Sequence, residues 1–219
     1  FGVSATSDYR VEIDTLSGGP LLPFGSNVRS GSGDPSFLDP AATGRANALL
    51  VGARNGGAWR TDLLLANLST APLTSTLSFT PVGVAAKPTA AAHVSLLPGE
   101  TRRFVDVLQQ QLGVGGGVGT LTVSSAGAGG VYPVVQAETY DASNPARRFG
   151  QTTLAQGDGD AAGPGQGLYL VGLRQDARFH TAFWLANPGT DLGTYDVIYR
   201  DLAGHQLGTT IRVNLLGGR

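Results

Sequence analysis

Three histidines, His93, His180 and His205, are the residues of this 219-residue chain best suited to proton transfer or metal binding. None stands where either chemistry needs it. No two are spaced as a zinc pair on one helix face, no His-Glu-x-x-His occurs, and none sits in a recognisable triad context. Gly-x-Ser-x-Gly is absent as well, so a nucleophile elbow is not indicated. The chain has no cysteine, which excludes disulfides, thiolate zinc sites and thiol nucleophiles together. The glycine-rich run Gly113 to Gly119 lacks the Lys-Ser/Thr of a phosphate loop and does not lie between a strand and a long helix, so it reads as a plain loop. Asp158-Gly159-Asp160 has the start of a calcium loop without its other carboxylates or closing glutamate, and reads as solvated linker. The expectation is a protein without catalysis, cofactor or metal.

What remains are residues suited to contact. Trp59-Arg60-Thr61-Asp62 is the most distinctive run; a core tryptophan with Arg60 and Asp62 in a weak outer-face ion pair accounts for it. A second feature resists that treatment. Trp184 and Ile198 fall on strand faces that should meet water, where large apolar side chains mark a contact surface or a region covered by another part of the chain. A sugar-binding platform at Trp184 would find only His180 and Asp196 as polar companions.

These residues are positioned by a duplication. Residues 50–80 recur without a gap at 170–200, with identities that include Leu50/Leu170, Gly52/Gly172, Arg54/Arg174, Thr61/Thr181, Leu65/Leu185 and Asn67/Asn187. Val94 to Gly99 (VSLLPG) has an echo in Val213 to Gly218 (VNLLGG), so nothing in the second copy answers to residues 101–154. Within the first copy, short apolar segments alternate with turn signals such as Asn55-Gly56-Gly57 and Pro98-Gly99. Seven or eight such strands predict an immunoglobulin-like sandwich. One helical turn is expected at Val105 to Leu112, with Val105, Leu108 and Leu112 on one face. The second copy offers four strands, 168–173, 179–187, 193–201 and 207–215.

Ahead of both copies, Val3, Ala5, Ser7, Tyr9, Val11 and Ile13 alternate with Ser4, Thr6, Asp8, Arg10 and Glu12, the signature of a half-buried strand. Residues 17–47 are rich in Gly, Ser, Pro and Asp and form a tether whose random-coil span is roughly 30 Å. The fold class is therefore all-β: an N-terminal strand and tether (1–47), a first sandwich (48–156), a linker (157–167) and a second, incomplete sandwich (168–219).

A net charge of −1 with scattered basic residues argues against nucleic acid, and no apolar run is long enough for a membrane-spanning helix. The absence of Met fits a processed product or an excerpt, and a cleaved secretion signal would explain a start at Phe1. The repeat resembles a module found in tandem in large secreted bacterial proteins of uncertain function. Its units look like LVGxxxGxxWRTDLxLxNxSxxxxxxxLxFxP, LxPGExxRxxDVL, GTLxV and PVVxAxxY, here at Leu50 to Pro81, Leu97 to Leu108, Gly119 to Val123 and Pro133 to Tyr140. The second copy departs from it at 179–182, where Phe-His-Thr-Ala replaces Trp-Arg-Thr-Asp. The resemblance implies a non-catalytic extracellular sandwich.

Four strands do not close a two-layer sandwich, and an open sheet edge invites another strand. The N-terminal arm of the same molecule or of a neighbour would supply it; missing strands beyond Arg219 in a longer precursor are the alternative explanation. The expected function is a structural or adhesive extracellular protein, with a self-assembling fibre subunit joined by strand addition as its sharpest form. The expected contact residues are Val3, Tyr9, Val11, Ile13, Trp184 and Ile198. Self-association through sheet edges is the expected partnership, and a cell-surface or glycan partner is compatible with it. The alternative is a glycan-binding accessory module of a secreted hydrolase.

Overall fold

The computed structural model describes residues 10–217 apart from 15, 19–20, 29–32, 34, 39, 42, 84–87, 89, 145–148 and 178–180. Val3 and Tyr9 lie outside the described residues, as does His180. Residues 10–14 join no ladder, and Val11 and Ile13 are exposed. The tether is more ordered than its composition predicts. It carries a short antiparallel hairpin, β1 (Gly25–Val28) and β2 (Pro35–Leu38), across which Phe24 and Phe37 meet with ring centroids 5.7 Å apart.

The first copy forms eight strands: β3 (Asn47–Asn55), β4 (Trp59–Ala66), β5 (Leu73–Pro81), β6 (Ala90–Leu96), β7 (Thr101–Phe104), β8 (Gly117–Ser125), β9 (Val134–Asp141) and β10 (Gly150–Leu154). They make two antiparallel four-stranded sheets, in the orders β3-β8-β5-β6 and β10-β9-β4-β7. This is the two-layer architecture of immunoglobulin-like sandwiches, which share layering more widely than strand order. Period-two alternation puts Leu50, Leu77, Phe79, Leu121 and Val123 of one sheet against Leu63, Leu65, Val135 and Ala137 of the other, and these form a single buried core. The row of threonine and serine on the outer face of β5 leaves Thr74 at the surface, whereas Thr80, opposite Thr120, is buried at the strand's end.

A helical turn does follow β7, as α1 (Val107–Gln110), but its inward face differs from the expected one. Asp106 adopts a left-handed conformation (φ 46°), which delays the helix until Val107. Val107, Leu108 and Leu112 are buried, and Val105 points to solvent.

In the second copy only β11 (Gly193–Arg200) and β12 (Gln206–Leu215) pair, as a hairpin. They answer to β5 and β6: Thr74 opposite Ser95 recurs as Thr194 opposite Asn214, each pair joined by a side-chain hydrogen bond. The strands expected over 168–173 and 179–187 are not formed as ladders in their described residues. In the first copy β3 bonds only to β8, and β4 bonds to β7 and β9. Among the described residues, 168–217 contain no strand answering to β7, β8 or β9, so these two segments lack a backbone partner for their alternation.

Candidate functional site: an open strand position in the second copy

The second copy reproduces local bonds of the first. The Arg54 amide donates to Thr61 Oγ1 at 2.8 Å and that hydroxyl donates back to the Arg54 carbonyl at 2.9 Å. Arg174 and Thr181 repeat the pair at 3.0 and 2.7 Å. At the next corner the Asn67 amide donates to the Ala71 and Leu97 carbonyls, while its oxygen accepts from the Ser69 amide and hydroxyl. Asn187 donates to the Asp191 and Leu215 carbonyls and accepts from the Gly189 amide. These identities across the duplication fix corners, which need few residues.

Packing across the two layers is also retained in outline. Phe183 and Tyr199 meet edge to face with centroids 6.3 Å apart, where the first copy has Leu63 and Phe79. The difference is in burial. Leu50, Leu65 and Phe79 are 2%, 0% and 0% exposed, whereas their counterparts Leu170, Leu185 and Tyr199 are 62%, 43% and 38% exposed. A side chain with core chemistry and core placement is thus left against water, which is the mark of a missing neighbour. In the first copy the neighbour of Leu50 and Phe79 is β8, the strand between β3 and β5, and Leu65 on β4 lies between β7 and β9. The position that answers to β8, between residues 168–173 and β11, holds no strand among the described residues.

Trp184 is partly covered. A Cβ on Gly52 would stand 2.9 Å from Trp184 Cδ1, so the indole is seated on the glycine at the bulge of β3. Gly52 has φ 85°, a conformation that side chains other than glycine seldom adopt, and Gly172 repeats it at φ 79°. The first copy therefore covers part of Trp184, and the second copy sits against the β3 edge of the first sandwich. Ile198 remains on the outer face of β11, exposed.

The Arg60 and Asp62 run has a structure different from the expected surface pair. Asp62 is buried beneath the segment that leads into α1. It accepts from the Asp106 backbone amide (2.9 Å), Tyr140 Oη (3.0 Å) and Arg103 Nη1 (3.1 Å). Arg103 Nη1 also reaches Glu138 Oε2 at 3.1 Å. Arg60 pairs instead with Asp106 through Nε, 3.2 Å from Oδ2. Desolvation raises the Asp106 carboxyl above the usual aspartate range, opposed by the nearby Arg60 charge. The cluster braces α1 over β4, and both carboxylates that face Arg103 are held by it. The signal for it in the sequence was Asp62, Arg103 and Glu138 at matching strand parity, which the pairing of Asp62 with Glu138 and Leu64 with Arg103 makes visible.

The remaining candidates fall into ordinary structural roles. His93 Nδ1 lies 3.1 Å from Thr76 Oγ1 across an exposed strand pair, and His205 bonds to Asp201 within the β11–β12 turn. Asp160 pairs with Arg45 and accepts from the Gly157 amide, which fastens the linker to the first sandwich. Among the described residues no three His, Cys, Asp or Glu groups are placed to share a metal ion, and no helix is long and apolar enough to cross a membrane.

No family model matches the chain, and no curated protein matches it. Among solved structures, the chain is similar to Thermotoga maritima 1070 at 15% identity and a TM-score of 0.38, over 52% of this chain and 94% of that one. A likeness of that size carries no weight for either fold or function.

Proposed function

We propose that this protein is a non-catalytic structural or adhesive protein of the extracellular space, a fibre subunit whose joints form by β-strand addition to the second copy. The supporting observation is the solvent exposure of Leu170, Leu185 and Tyr199, whose counterparts fill the first core. An edge that presents unpaired backbone beside apolar side chains gains both hydrogen bonds and burial when a strand is added.

Electron microscopy and light scattering of the full chain over a concentration series test this. Ordered polymers that grow with concentration are expected, and a monodisperse monomer throughout overturns the proposal. Saturable quenching of Trp184 fluorescence by oligosaccharides, with no polymer, supports a glycan-binding accessory module instead.

A further inference from the structure

We infer that the free edge of β3 is a docking surface for the second copy of the repeat, and that the Trp184 indole is the lock that holds the two copies of one chain in a single relative orientation. The joint lies within one chain and does not depend on strand addition.

An edge strand offers unpaired backbone groups, and β3 has a strand, β8, on one side only. The chain itself takes up that edge as it leaves the first sandwich. The Ala155 amide still donates to the Val135 carbonyl of the opposite sheet at 3.0 Å. The next residue crosses over, and Gln156 and Leu49 exchange backbone hydrogen bonds of 2.7 and 2.9 Å. Arg45, just ahead of β3, then reaches both oxygens of Asp160, at 2.9 and 3.1 Å. Its side chain lies over Gly157, where a Cβ would stand 2.8 Å from Arg45 Cδ. A segment with the composition of a flexible tether is thus laid along β3 as far as Asp160.

Trp184 adds a third contact further along the same strand. A Cβ built on Gly52 would lie 2.9 Å from its Cδ1, 3.0 Å from its Nε1 and 3.5 Å from its Cγ. The pyrrole ring therefore rests against backbone, in the space where any other residue would put its side chain. Positive φ alone accounts for glycine at both 52 and 172, since the two copies share it. Only one of the two is a seat: nothing lies within 4 Å of a Cβ on Gly172. The seated residue is also a point where the duplication diverges, because Trp184 stands where the first copy has Leu64. A tryptophan brings the large, rigid apolar face that anchors contacts between folded units. Arg45, Leu49 and Gly52 so receive the linker and the second copy along one edge. Without the indole, residues 161–183 alone would tether the second copy, with a random-coil span of roughly 25 Å.

The absence of native cysteine makes the joint measurable. Thr74 and Thr194 are exposed counterparts, so Thr74→Cys with Thr194→Cys places one spin label on each copy of the full-length chain. Pulsed electron spin resonance on dilute chain reads the distances between them. A single narrow distribution is expected, and adding Trp184→Ala is expected to broaden it at least about twofold, toward the span of the freed segment. Gly52→Ala should broaden it likewise by displacing the indole. Gly172→Ala carries the same left-handed strain with no indole above it, and should leave the distribution narrow. A broad distribution before any joint residue is changed overturns the joint, as does one that stays narrow in Trp184→Ala, a change that leaves β3 intact. Equal broadening by Gly52→Ala and Gly172→Ala overturns Gly52 as the seat. Polymers, seen or unseen at higher concentration, bear on strand addition alone.

Discussion

Asp62→Ala is expected to destabilise the first sandwich by about 3–5 kcal/mol, the cost of breaking a buried ion pair by removing one partner. The side chain accepts three hydrogen bonds in a buried site, from the Asp106 amide, Tyr140 Oη and Arg103 Nη1. Alanine leaves the Tyr140 hydroxyl without this acceptor, frees the amide that begins α1, and leaves Arg103 facing Glu138. Asparagine would keep an oxygen for Tyr140 or the amide but turn an NH2 toward Arg103, so Asp62→Asn is expected to fall between wild type and alanine, at about 1–3 kcal/mol. Urea denaturation followed by far-ultraviolet circular dichroism reads both variants. A loss under about 1 kcal/mol for alanine would show that the cluster is solvated in solution, as for a surface pair.

The second large effect is a contrast between duplicated leucines. Leu65 is wholly enclosed in the first core, so Leu65→Ala is expected to cost about 2–5 kcal/mol. The matching change Leu185→Ala removes a side chain that water already reaches, and is expected to cost the isolated chain about 1 kcal/mol or less. Under the proposed strand addition the order is expected to reverse on assembly, because Leu185 is an exposed apolar side chain that an added strand would help to cover. Leu185→Ala should raise the concentration needed for polymers, whereas Leu65→Ala should act there only through its loss of folded chain. Equal losses in dilute solution would mean that residues 168–217 enclose a core of their own.

Much of the first sandwich was legible because its strands carry strict alternation and its turns carry glycine, proline and asparagine at the required places. Asn67 and Thr61 mark their corners by identity across the duplication, and both copies build the same bonds there. The pattern misled where pairing, not alternation, decides structure. Residues 168–173 and 181–187 have the composition of strands, yet a ladder needs a partner, and they join none among the described residues. Parity alone also placed Asp62 outward and so in water, whereas α1 folds across that face and buries it. The hairpin of β1 and β2 escaped notice because four-residue strands, one opening on Pro35, show too little alternation; the facing Phe24 and Phe37 were its available signal.

Amide hydrogen exchange at Leu168 to Leu173, compared with Leu49 to Ala53, tests most directly that the second copy stands open. In dilute chain the first segment should exchange nearly unprotected while the second is held by β8, and protection of 168–173 should rise as concentration drives assembly. Equal protection of the two segments at the lowest concentration would contradict an open slot.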